Sequence, residues 1–322
     1  MSYSLDPAIP MSEAVRRVAF AELDLANAAL STTPDRHSGV HSARKCLKRL
    51  RSLLLLVRPG VPEPMIGNLS ERLAAIAREL APARDANALL DAIDKLEQDE
   101  ETFAAASPIR SLRRWLEKRR EIAERTLESS AASEAIRGLR ELRPALGGLA
   151  IHPDEFTPLA KGLRHSYRAT RRSFRHAFAT GNDDDFHEWR KGVQHHWRQM
   201  QLLGSCAASE LSGRAEAARA LSQLLGDDHD IALLRRLVST PTMVFGSSDD
   251  TAAFLKRCRK RHKSLRQEAR TRAGRLFAER SRPFAERVES AWLAARREPE
   301  ITGEIHPDNV VPFGDLKAGR SS

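Results

Sequence analysis

Apolar residues recur every three or four positions along most of the chain, the spacing of one face of an α-helix. The pattern opens at Pro10 and Ser12 and runs to about Leu30. After a loop over Thr33 to Gly39 it resumes from about Val40 to Val57, where Pro59-Gly60 stops it. Pro62 and Pro64 open a helix to about Leu80, and Pro82 separates it from a short one over about Arg84 to Gln98. Ser107-Pro108 starts a long charged helix to about Ser129. A weaker helix near Ser133 to Leu142 ends at Pro144.

Three prolines and two glycines between Arg143 and Pro158 mark a boundary, and a similar plan follows. Helices are predicted over about Phe156 to Ala179, Asp184 to Leu203, Ala208 to Leu225 (ended by Gly226) and Asp228 to Val238. Two more cover about Asp250 to Glu279 and Pro283 to Arg297. His41-Ser-Ala-Arg44-Lys45 returns as His187-Glu-Trp-Arg190-Lys191, 146 residues later, since 187 − 41 = 146. Arg84-Asp85 returns as His229-Asp230 at an offset of 230 − 85 = 145. Two landmarks at nearly one offset indicate an internal repeat. The expected architecture is all-α, with two tandem four-to-five-helix bundles related by pseudo-twofold symmetry. The bundles span residues 5–145 and 155–298, and residues 299–322 form a flexible tail.

Winding the two motif helices at about 100° per residue separates their faces. On the first, His41, Arg44, Lys45, Lys48, Arg49 and Arg51 share one side, while Ala43, Leu47, Leu50, Leu54 and Val57 share the other. On the second, His187, Arg190, Lys191, His195 and Arg198 oppose Trp189, Val193, His196 and Met200. Like charges one turn apart repel, and no acid at i±4 within either stripe relieves them. A bound linear anion would. Arg164, Arg168, Arg171 and Arg172 on the helix before the second motif, and Lys260, Lys263 and Arg266 on the late helix, extend the candidate surface. Asp85 and Asp230 follow expected helix breaks and suit caps or acidic partners better than catalysts.

The whole composition agrees. Lys and Arg number 53 against 43 Asp and Glu, a formal charge of +10, which favours an anionic partner. Aromatic residues are only 5%, too few for a surface built to stack bases. Cys46, Cys206 and Cys258 are scattered and form no C-x-x-C, so a reducing compartment and no thiolate metal site are expected. No signal peptide is predicted, and the longest apolar run, Leu53 to Val57, is far too short for a bilayer. The expectation is a cytoplasmic protein without a cofactor or a membrane contact.

The ordered set His41-x-x-Arg44-Lys45-x-x-Lys48-Arg49-Leu-Arg51, Leu80-x-Pro-x-Arg84-Asp85, Phe186-His187-Glu-Trp-Arg190-Lys191 and Leu224-Leu-Gly-Asp-Asp-His229-Asp230 resembles the CHAD family, the conserved histidine α-helical domain. Arg275-Leu-Phe-Ala-Glu279 is similar to its late helix. The resemblance spans about Leu5 to Arg297. It implies a helical duplication that binds inorganic polyphosphate through basic helix faces and a central cavity, and association with polyphosphate granules. Gln194 and His195 stand where the second copy generally has basic residues. Some relatives carry a CYTH triphosphatase domain; its E-x-E-x-K signature is absent here, so no triphosphatase activity and no enzyme is expected. Two other readings fit parts of the sequence. Asp227, Asp228 and His229-Asp230 with the distant histidines resemble an HD-type metal phosphohydrolase, and the charge alone suits a non-specific nucleic-acid binder.

Overall fold

The computed structural model describes residues 3–33, 36–80, 82–97, 107–126, 132–240 and 245–297. All regular structure among them is helical. In chain order the helices are α1 (Met11–Thr32), α2 (Arg36–Val57), α3 (Glu63–Glu79), α4 (Pro82–Glu97), α5 (Ser107–Thr126) and α6 (Ala132–Gly147). After them come α7 (Thr157–Thr180), α8 (Asp183–Leu202), α9 (Ala208–Val238), α10 (Ser248–Leu276) and α11 (Ser281–Arg297). None is long and apolar enough to cross a membrane. The expected tail lies outside the described residues.

The two motif helices are α2 and α8. Each forms a hairpin with the helix before it, and α2 also packs against both α7 and α8. Their apolar faces are buried as the winding requires: Ala43, Leu47, Leu50, Leu54 and Val57 on α2, Trp189, Val193, His196 and Met200 on α8. All of these but His196 join one large hydrophobic core that draws on residues from Leu5 to Trp292. A second, smaller core gathers Ile93 and Leu96 of α4, Leu112 and Leu116 of α5, Ile231 of α9 and Phe254 of α10. Both cores take residues from each half of the sequence.

Local chemistry sets the entry of α8. Gly181 adopts φ 68° after α7, and the Asn182 side chain accepts a hydrogen bond from Asp184 N at 3.1 Å. Asp183, Asp184 and Asp185 then sit in the first turn, where carboxylates stabilise the helix dipole. On α10, Ser247 and Asp250 form a reciprocal capping box.

Three boundaries differ from the sequence expectation. Helix α2 starts at Arg36 inside the expected loop. Helix α6 continues through Pro144 to Gly147. Most consequentially, Gly226 does not end a helix: α9 runs unbroken over 31 residues. Gly226 is buried, and a Cβ there would lie 3.0 Å from Arg190 Nη2. The missing side chain seats an arginine rather than breaking the chain. The segment between α6 and α7 is packed: Ile151 and Phe156 are buried, and Asp154 Oδ1 accepts from Ser12 N at 2.7 Å.

The tightest crossing joins α2 to α7. A Cβ on Gly162 would fall 1.9 Å from Leu56 O. Gly162→Ala is therefore expected to push the two helices apart and cost about 1–3 kcal/mol or more, read as a lowered midpoint in urea unfolding. An unchanged midpoint would disprove this close packing.

Candidate anion-binding site

The basic faces of α2 and α8 meet on one cavity of about 660 Å³. From α2 come His41, Arg44, Lys45, Lys48 and Arg49; from α8 come Arg190, Gln194, Trp197 and Arg198. Helix α9 closes it with Arg219, Ser222, Gln223, Gly226, Asp227 and Asp230, and α4 adds Lys95. Eight Lys and Arg side chains thus face two aspartates, so the cavity is strongly electropositive. A recess of about 190 Å³ lies against it, reached by Arg51, His187, Lys191 and His195. Arg44, Lys48, Arg190, Gln194 and Arg198 line both spaces.

Each cation is held differently. Arg44 Nη1 donates to Ala77 O at 2.8 Å, in the last turn of α3 where the helix dipole is negative. Arg49 Nη1 lies 3.1 Å from Glu22 Oε1 and its guanidinium covers the Tyr3 ring at 4.7 Å. Burial raises the pKa of that glutamate. Lys95 Nζ pairs with Asp227 Oδ1 at 2.6 Å, across α4 and α9.

Arg198 stands apart. It is 5% exposed, donates Nη1 to Gln194 O at 2.8 Å and lies over the Trp197 ring at 4.8 Å. Among the described residues no carboxylate reaches it. Burial pulls its pKa down to about 10, which still leaves it charged at neutral pH. A buried cation without an anion is costly, and a ligand anion would remove that cost.

Two imidazoles of the recess, His187 and His195, are held below their ordinary pKa and so neutral at pH 7. Ser52 Oγ lies 2.9 Å from Lys48 O and is hydrogen-bonded to His195 Nδ1, also at 2.9 Å. Burial, then Arg198, Arg51 and Lys191, push the His195 pKa down to about 3. His187 stacks on His229 with ring centroids 4.2 Å apart. Its pKa is lowered by burial first, then by Lys191 and Arg190, and its buried Nδ1 has no hydrogen-bond partner. An imidazolium contribution to anion binding near pH 6.5, natural from the sequence, is therefore displaced to lower pH at these two positions.

A family model for the CHAD domain matches residues 17–239. The chain belongs to the CHAD domain family. The matched span contains every residue that lines the cavity and the recess. The fold is similar to that of PptA from Streptomyces chartreusis, with a TM-score of 0.55 and 14% identity over 90% of this chain and 100% of that one. It is also similar to the CHAD domain from the plant Ricinus communis, with a TM-score of 0.51 and 19% identity over 91% and 95% of the two chains. No curated protein matches the sequence.

Several sequence-predicted cations of this CHAD chain lie elsewhere. Arg164, Arg168 and Arg172 are exposed on α7 and Arg171 is half-buried there; none lines the cavity or the recess. Lys260 and Lys263 are exposed on α10, likewise away from both. Arg266 is committed to the fold: Nε is 3.1 Å from Asp228 Oδ1, Nη2 is 2.7 Å from Asp183 Oδ1, and Nη1 donates to Gly181 O at 2.7 Å. His262 Nδ1 approaches the same Asp228 oxygen at 3.0 Å. The carboxylates that suggested an HD-type centre are thus partly spent, Asp228 on Arg266 and His262 and Asp227 on Lys95. Among the described residues no group of three or more His, Cys, Asp or Glu is placed to hold a metal. The Arg84 and Asp85 side chains lie outside the described residues.

Lys95, Arg219 and Trp197 were not singled out from the sequence. The α9 lining had a signal: Arg219, Ser222, Gln223, Gly226, Asp227 and Asp230 follow helical spacing, visible once Gly226 is read as interior. Two outcomes are expected. Gly226→Ala should keep or raise the melting temperature, since Gly inside a helix costs about 0.5–1 kcal/mol, yet weaken anion binding by displacing Arg190; unchanged binding would show that Arg190 needs no seat. The second concerns pH. His187, His195 and His196 all have folded pKa values below the ordinary one. Below about pH 6.5 the unfolded chain takes up protons that the folded chain refuses, so stability should fall on acidification from there. A melting temperature constant from about pH 7 to 4 would contradict these environments.

Proposed function

We propose that the chain binds inorganic polyphosphate without chemical turnover. The supporting observation is the convergence of both motif helices on one cavity around the buried, carboxylate-free Arg198. A linear polyanion can contact many cations at once and release their counterions. It needs no base recognition, and among the described residues Trp197 is the one Phe, Tyr or Trp side chain lining the cavity. CHAD membership supports the same ligand. In this reading the exposed arginines of α7, with Lys260 and Lys263, extend the path of long polymers, and the protein resides in the cytoplasm at polyphosphate granules.

The test is calorimetric titration with polyphosphate of defined length. Arg44→Glu with Lys45→Glu should remove most binding while the helical circular-dichroism signal is kept. Adding Arg190→Glu and Lys191→Glu should abolish it. Wild-type affinity should fall on the order of 10²–10³-fold between about 50 and 200 mM salt. Survival of binding in the fourfold variant would overturn the reading. Stronger binding of charge-matched single-stranded DNA would replace polyphosphate by nucleic acid.

A further inference from the structure

A second groove, of about 840 Å³, runs between α9 and α10 and shares no lining residue with the cationic cavity. Arg214 lines it in an unusual state. Its Nε donates to His196 Nε2 at 3.0 Å, and its Nη2 donates to Tyr167 Oη at 3.1 Å and Leu276 O at 2.7 Å. The guanidinium also lies over the Phe284 ring at 4.3 Å. Every one of these partners is neutral. Tyr167 passes its own proton to Glu279 O at 3.0 Å, and burial holds both the phenol and the imidazole uncharged.

Three hydrogen bonds fix the side chain, yet among the described residues no carboxylate answers its charge. Among the described residues Nη1 makes no hydrogen bond, and the Arg214 side chain lines the groove. A pre-positioned cation of this kind binds an anion without an ordering cost. Arg275 and Arg272 stand beside it; Glu268 pairs with Arg272 at 2.6 Å, which leaves Arg275 available.

The rest of the lining narrows the ligand class. Ser264, Gln267 and Thr271 offer uncharged hydrogen-bonding groups at helical spacing along α10. Among the described residues no aromatic ring lines the groove to receive a base, and its volume is that of a small-molecule site. We propose that this groove binds a sugar phosphate, the phosphate at Arg214 and Arg275 and the hydroxyls along Ser264, Gln267 and Thr271.

Titration of the full chain with glucose 6-phosphate, with glucose and inorganic phosphate as separate arms, tests the proposal. Glucose 6-phosphate should bind in the millimolar range or tighter, phosphate about tenfold more weakly, and glucose not measurably. Because Arg214 also ties helices together, the variants are Arg275→Glu and Ala217→Tyr, the second filling the groove. Each should weaken glucose 6-phosphate at least about tenfold with an unchanged melting curve. Saturating polyphosphate should leave that binding intact, so this test does not depend on the polyphosphate reading. Absence of binding at about 10 mM, equal affinity for inorganic phosphate, indifference to both variants, or displacement by polyphosphate would each overturn the proposal.

Discussion

Electrostatic repulsion between the cation stripes of α2 and α8 is the constraint around which the molecule is arranged. Spread through solvent, these side chains would be screened from one another. The buried backs of the same helices prevent that. Leu47, Leu50 and Leu54 on one helix and Trp189, Val193 and Met200 on the other lie in a common core, and that packing fixes where the charges point. Hydrophobic burial therefore holds together what electrostatics would separate. The fold tempers the strain by local means: a carbonyl for Arg44, a buried glutamate for Arg49, an aspartate for Lys95. It leaves Arg198 unanswered.

Much of this was legible in the sequence because helical periodicity is a local property. The buried and charged faces of α2 and α8 follow from residue spacing alone, and Arg44, Lys48, Arg190 and Arg198 fall where the winding puts them. Convergence of the two faces is a tertiary fact that no single helix encodes. For the same reason Lys95 could not be read: it reaches the cavity only because α4 packs on α9. Gly226 misled in a more instructive way. Glycine after an apolar run is the usual mark of a helix end, and only contact with Arg190 reveals its other use.

The histidines show the opposite kind of error. Their placement follows the winding of the two helices: His41 lines the cavity, and His187 and His195 line the recess. Charge state was not readable, because burial and neighbouring guanidinium groups decide it. Arg266 makes the same point from the other side. Its spacing fits a binding stripe, but Asp183 and Asp228 claim it as the centre of a partly buried ion cluster that joins α8, α9 and α10. Sequence spacing gives the face a residue occupies, and the partners on adjoining helices decide whether it is free to act.

The Lys95–Asp227 pair has a consequence beyond charge balance. It bridges α4 to α9 at the edge of the cavity, and the same ammonium lines the space where an anion would lie. The Lys95 ammonium carries three N–H donors, so the pair with Asp227 occupies only part of its hydrogen-bonding capacity. Behind that polar strap, the apolar side chains of α4 in the smaller core and the pairs of Arg113 with Asp94 and Glu97 keep α4 in place. A charged group on the rim of the cavity thus doubles as a tie between two helices.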